Sequence, residues 1–193
     1  MANFEPAYKI TRAHEGGYAN SPTDKGGETW RGVARKANAA WPGWKIVDAI
    51  KATNPASLDV ALAGNKELDA LVLALFRKGY WDCLSLDALR CQQTANQLFD
   101  VSINCGSGTA ARFLQQALNV FHKPALVVDG KVGRLTIAAA NQYPSQKIYD
   151  EINKLRAAHY AAIIARDATQ HVYEKGWLSR IKPFQPDNTS NMA

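Results

Sequence analysis

Apolar residues recur at three- and four-residue intervals along most of the chain, the spacing of one buried face of an α-helix. Leu68, Leu71, Val72, Leu75 and Phe76 sit at i, i+3, i+4, i+7 and i+8 behind Asn65, a capping residue type, and predict a strong helix. Phe4, Tyr8, Thr11 and Glu15 fall on one side of a first helix that Gly16-Gly17 must end, because paired glycines supply a C-cap and forbid continuation. A second helix is predicted over about Val33–Ala40, stopped by the Trp41-Pro42-Gly43-Trp44 turn, with shorter helical pieces near 46–52 and 56–63. Helices follow near 91–105, 109–121 and 134–142. The longest, roughly 145–170, turns Ile148, Ile152, Leu155, Ala162 and Ile163 inward, and a last short helix holds Trp177.

Two stretches break this rhythm. Residues 18–32, YANSPTDKGGETWRG, are dense in turn formers and read as a loop or small β-hairpin. Asp129-Gly130 is a turn signal between Leu126-Val127-Val128 and Lys131-Val132, suggesting a tiny hairpin. The fold class is therefore mainly α, with a short β-hairpin or loop insert after the first helix. The segment near 83–90 offers a seam, giving regions 1–85 and 86–185, and the polar tail 186–193 reads as disordered.

At 193 residues the chain can bury a core without disulfides or metal. Its 23 Lys and Arg against 17 Asp and Glu give a formal charge of +6, which favours anionic polymers such as nucleic acid, teichoic acid or bacterial cell wall without choosing among them. Cys83, Cys91 and Cys105 match no metal spacing and read as buried free thiols of a reducing compartment. No metal site and no cofactor is expected. The N-terminus lacks the apolar core of a signal peptide, and Leu68–Phe76, broken by Asp69, is too short to span a bilayer. The expectation is a chain made in the cytoplasm, with some other device to release it.

The insert carries the chemistry. His14-Glu15-Gly16-Gly17-Tyr18 places a carboxylate on the last turn of a helix, where the negative end of the helix dipole opposes ionisation. A glutamate shielded there by aromatics keeps its proton near neutral pH and can serve as a general acid. A hairpin folding back over the helix end would present Asp24 and Thr29 across a cleft from Glu15. Glycoside hydrolysis needs this division of labour: one carboxyl protonates the leaving oxygen while a second polar group positions water or stabilises the oxocarbenium ion.

His14-Glu15-Gly16-Gly17-Tyr18, Asn20, Pro22, Asp24, Gly26-Gly27, Thr29 and Gly32 resemble the signature of glycoside hydrolase family 108, the phage-type N-acetylmuramidases once described as secretion activator proteins. Phe99-Asp100 with Asn104 and Gly106, Ala110-Ala111 with Leu114-Gln115, and Asp129-Gly130 with Val132-Gly133 and Thr136 are similar to the predicted peptidoglycan domain that accompanies that catalytic region. The resemblance spans about residues 4–175. It implies a lysozyme-like helical fold, with 1–85 as the catalytic region and 86–185 as the peptidoglycan-domain region. It also implies cleavage of the β-1,4 bond between N-acetylmuramic acid and N-acetylglucosamine, with Glu15 as the acid. The family has Asp directly before the proline where this chain has Ser21, so any role of that Asp is lost or passes to Asp24.

The remaining candidates each have a plainer role. Asp24 is also a turn former, and Thr29 also satisfies a strand end. Tyr18, Trp30, Tyr80 and Trp81 suit stacking on sugar rings, Tyr18 foremost, although buried aromatics are commoner than binding ones. Asn20 joins them as a substrate-binding residue of the motif. Asp100 and Asn104, four apart on one helix face, either line the cleft floor or pair with a basic residue, the second being the plainer reading. His159 reads as a core histidine. The partner expected is the peptidoglycan glycan strand, acted on by a monomer that binds no nucleic acid, inserts in no membrane, and reaches the wall after release, a holin being one route. A lytic transglycosylase and a catalytically silent wall-binding or secretion-assisting protein are the rival readings.

Overall fold

Helix α1 (Phe4–Arg12) is the first element. In the computed structural model, residues 1–12, 16–20 and 27–186 are described. The chain forms two compact units, one comprising Tyr8–Gly79 and the other Met1–Ala7 together with the chain from Tyr80 onward. Helix α1 thus starts in one unit and ends in the other.

In the Tyr8–Gly79 unit, β1 (Tyr18–Ala19), β2 (Thr29–Trp30) and β3 (Val33–Ala34) form an antiparallel sheet in that order. Tyr18 pairs with Trp30 and Ala19 with Thr29, while Thr29 pairs with Ala34 and Trp30 with Val33. Arg31 (φ 45°) and Gly32 (φ 82°) make the two-residue turn between β2 and β3, both in the left-handed region that such a turn demands. The helix expected over 33–40 is therefore absent: Val33 and Ala34 are a third strand, and turns follow. Three helices complete the unit, α2 (Gly43–Ala52), α3 (Leu58–Ala63) and α4 (Lys66–Phe76). Asn65 caps α4 as its sequence foretold, accepting from the Leu68 N–H at 2.8 Å. Leu68, Val72 and Phe76 are the buried stripe of α4. They share the core with Trp30, Val33, Trp41, Trp44, Val47 and Leu62.

A wide π-type turn over Arg77–Trp81 and short 3₁₀ turns at Asp82–Leu84 and Leu86–Ala88 lead into α5 (Gln92–Cys105). Helices α6 (Ser107–Asn119), α7 (Arg134–Gln142), α8 (Ser145–Arg166) and α9 (Glu174–Ser179) follow. Helix α6 packs on both α5 and α8. Phe4, Trp81 and Phe99 meet edge to face in a mutual trio with centroids 5.5–5.8 Å apart. Each such pair contributes about 0.5–1.5 kcal/mol beyond the area it buries.

Several expectations for this unit need correction. Helix α8 ends at Arg166 and a 3₁₀ segment, Ala168–Tyr173, takes over. Its buried face is Ile148, Tyr149, Ile152, Arg156 and Tyr160, whereas Leu155 and Ile163 are half-buried and Ala162 is exposed. An apolar count could not see that a buried ion pair would continue the stripe. Residues 125–128 and 131–133 form no strand, so Asp129-Gly130 is a bend within an irregular loop. The thiols are free but not buried, with Cys83 exposed and Cys91 and Cys105 half-buried. Among the described residues, no helix is long and apolar enough to cross a membrane.

Candidate functional site

Side chains alternate across a strand, so the register sorts the insert into two faces. Tyr18, Trp30 and Val33 share one face, and Trp30 and Val33 are each only 1% exposed. Ala19, Thr29 and Ala34 share the other, where Thr29 is half-buried. Thr29 and Trp30 therefore address opposite sides of the sheet.

Glu28 extends the Trp30 face and anchors the insert to α2. Its Oε1 accepts from the Tyr18 hydroxyl at 2.6 Å and from Lys51 Nζ at 2.7 Å, and its Oε2 lies 2.5 Å from Arg35 Nε. Arg35 in turn grips Asp48 at 2.5 and 3.0 Å and lies over the Trp44 ring. Burial by itself would raise the Glu28 carboxyl, but the hydrogen bonds from Lys51 and Tyr18 and the charge of Arg35 outweigh it and hold it below the ordinary range. Lys51 is correspondingly raised by its bonds to Glu28 and Tyr18.

A second anchor fixes the segment entering β1. Asp59 Oδ1 accepts the Tyr18 N–H at 2.7 Å, and a Cβ on Gly17 would stand 2.2 Å from that oxygen. Only glycine lets the carboxylate come so close. Arg31 N–H donates to the Gly17 carbonyl at 3.2 Å, and its guanidinium pairs with Asp69 of α4.

Sequence reasoning missed Glu28, Asp59, Arg35 and Lys51. The one available signal was Glu28 standing two residues from Trp30 and so on its face. Of the three expected catalytic residues, Thr29 lies in β2, while Glu15 and Asp24 fall outside the described residues, as do His14 and Ser21. Tyr18 is half-buried with its hydroxyl committed to Glu28, and Asn20 is exposed just after β1.

The other candidates belong to the second unit. Trp81 is fully buried and its indole N–H donates to Asp87 at 2.8 Å, so no ring face is open. Tyr80 is half-buried, and its carbonyl accepts from Ser102 at 3.1 Å. Asp100 takes Arg180 at 2.7 Å on one oxygen and Arg156, 1% exposed, on the other. Asn104 accepts the Tyr160 hydroxyl at 2.7 Å, and Arg156 Nε donates to that same hydroxyl at 2.7 Å. Burial pushes the Tyr160 phenol up to about 12, against the opposing pull of Arg156. Pairing with basic residues, the plainer reading of Asp100, is what these contacts consist of. His159 stands edge-on to Phe113, and burial, helped by Arg166, lowers its pKa.

Residues 8–106 match the model of the family described as glycosyl hydrolase 108, and residues 109–182 match that of the predicted peptidoglycan domain. A solved structure titled "Structure of Brucella abortus SagA" is similar in fold, with a TM-score of 0.65 and 24% identity over 92% of this chain and 88% of that one. Among curated proteins no match was found. A mainly helical body with a small β insert, carrying these two regions in tandem, defines a glycosidase that acts on peptidoglycan. The chain belongs to the glycosyl hydrolase 108 family.

Proposed function

We propose that the protein is an N-acetylmuramidase that hydrolyses the β-1,4 bond between N-acetylmuramic acid and N-acetylglucosamine, with Glu15 as general acid. The observation that carries this reading is the role of every other described carboxylate in the Tyr8–Gly79 unit. Glu28, Asp48 and Asp69 accept from cations, and Asp59 accepts from a backbone N–H. Glu67 is exposed on the first turn of α4. A general acid must donate, and four of these five are acceptors. The proton donor of this reading is the glutamate of the His14-Glu15-Gly16-Gly17-Tyr18 motif, which resembles the family's acid. Asp24 and Thr29 then hold the attacking water, which gives inversion, the course taken by glycosidases whose two carboxyls stand ~6.5–9.5 Å apart. Within the insert, the sugar-contacting residues of this reading are Tyr18 and Asn20, in and just after β1. Release to the wall, through a holin or otherwise, belongs to the same reading.

Glu15→Gln is expected to fold normally and to lose ~10²–10⁴-fold of its wall-clearing rate. Mass spectrometry of the digest should find reducing N-acetylmuramic acid ends. Anhydro-muropeptides would establish the transglycosylase instead, and a wall left intact by the parent chain would establish a binder.

A further inference from the structure

The 109–182 region holds a groove of about 720 Å³ that no part of the mechanism above uses. One wall is the irregular loop between α6 and α7, and two amide side chains of α6 fasten it. Gln115, 2% exposed, donates to Asp129 Oδ1 at 2.8 Å and to the Lys131 carbonyl at 2.9 Å, and accepts from Gly130 N–H at 3.0 Å. Asn119 takes both the N–H and the carbonyl of Leu126, at 2.7 and 2.8 Å. A loop pinned this firmly nevertheless holds Val127 out to 77% exposure, and Leu135 across from it is also 77% exposed. Both side chains line the groove.

The lining says what would cover them. Its apolar part is small and aliphatic: Leu126, Val127, Leu135, Ala138 and Ala139 among others. No Phe, Tyr or Trp lines it, and its one ring, the His122 imidazole, is edge-on to Tyr143 with Nδ1 at the Tyr143 hydroxyl, so it lacks the broad aromatic platforms that suit sugar rings. Its charge is net positive, because Lys131 and Arg134 line it while the one carboxylate, Asp129, is occupied by Gln115 and by the Lys131 N–H at 2.8 Å. The nine-residue α7 begins there with no side chain capping its first turn, so its N–H groups and dipole favour an anion. Thr136 of that turn, 4% exposed, also lines the groove.

We infer that this groove binds a short peptide of alanine-sized side chains bearing free carboxylates, the chemistry of the peptide arm of peptidoglycan. Methyl groups lie against the aliphatic wall, and a carboxylate is met by Arg134, Lys131 and the open first turn of α7. This rests on peptidoglycan being the substrate but not on which bond is cut. It makes the region a reader of cross-linkable peptide rather than of glycan.

The test titrates the full-length, ¹⁵N-labelled protein with the pentapeptide L-Ala–γ-D-Glu–L-Lys–D-Ala–D-Ala, which contains no glycosidic bond. Binding is thus read independently of cleavage, and a failed muramidase assay would leave it untouched. Amide resonances of residues 126–139 are expected to shift, and Arg134→Ala, at an exposed position, should weaken binding about tenfold, as loss of one charge-assisted contact does. Amidating the peptide's C-terminus should do the same, and chitotetraose should leave these resonances unmoved. A pentapeptide that shifts none of them, chitotetraose that shifts them equally, or peptide binding indifferent to both the amide and Arg134→Ala would overturn the inference.

Discussion

The Tyr18 hydroxyl donates to Glu28 Oε1 at 2.6 Å, tying the first strand of the insert to the residue that precedes the second. Lys51 reaches the same oxygen from α2, so one carboxylate fixes two strands and a helix. The segment that carries Thr29 is held from behind by this anchor.

Replacing that carboxylate should therefore loosen the insert. Glu28→Gln leaves Lys51 and Arg35 facing a neutral amide and is expected to destabilise the protein by about 1–3 kcal/mol. The pH dependence has a definite sign. A carboxyl whose folded pKa is depressed stabilises above its unfolded value, about 4.3, and that stabilisation is lost as pH falls through the lower folded value. Melting curves between pH 3 and 7 should fall less steeply for the variant on the acid side. Equal steepness would remove Glu28 as an anchor.

Gly17→Ala drives a methyl group into Asp59 and costs Tyr18 N–H its acceptor. A loss of roughly 1–3 kcal/mol is expected, together with lower lytic activity. Asp59→Ala should cost a similar amount, and the double variant little more than either, because the two substitutions break one contact. Simple additivity in denaturant titrations would show that the contact is not shared.

Asp100→Ala strands the buried Arg156 without its counter-ion and should cost about 3–5 kcal/mol. Replacing the pair together, as Asp100→Leu with Arg156→Met, should be much milder. Urea unfolding of the three proteins decides this.

Tyr160 supplies a spectroscopic check. Its folded pKa is raised to about 12, so the stability it confers is complete below the unfolded phenol value of about 10 and is lost as pH rises through about 12. In an ultraviolet titration of the seven tyrosines, Tyr160→Phe should remove a late-ionising phenol. An unchanged alkaline limb would mean the phenol is open to water.

The helical body was legible because its signals are local. Asn65 sits next to the stripe it caps, and Gln92–Cys105 shows its own period. Two-residue strands are too short to show alternation, so Val33-Ala34 read as the start of a helix until the Arg31-Gly32 turn is seen. Partnerships between distant residues leave no local trace. Lys51 meets Glu28 from 23 positions away, and Arg156 meets Asp100 from 56 away. An apolar count passes over both. The Glu15 motif stood out because it is contiguous, whereas Trp30 and Trp81 looked like platforms only because sequence does not report which ring faces are covered.

Because Phe4 lies edge-on to Trp81 and Phe99, residues 1–7 are a graft that completes the unit resuming at Tyr80 rather than the one that follows them in sequence. Trimming them for convenience would strip Trp81 and Phe99 of a ring partner, far along the chain from the cut. Severing the chain after residue 85 would carry Phe4 and Trp81 off with one fragment and leave Phe99 with the other. The two fragments, expressed apart, should each be incomplete and should reassemble when mixed, behaving as a natural pair for split-protein complementation.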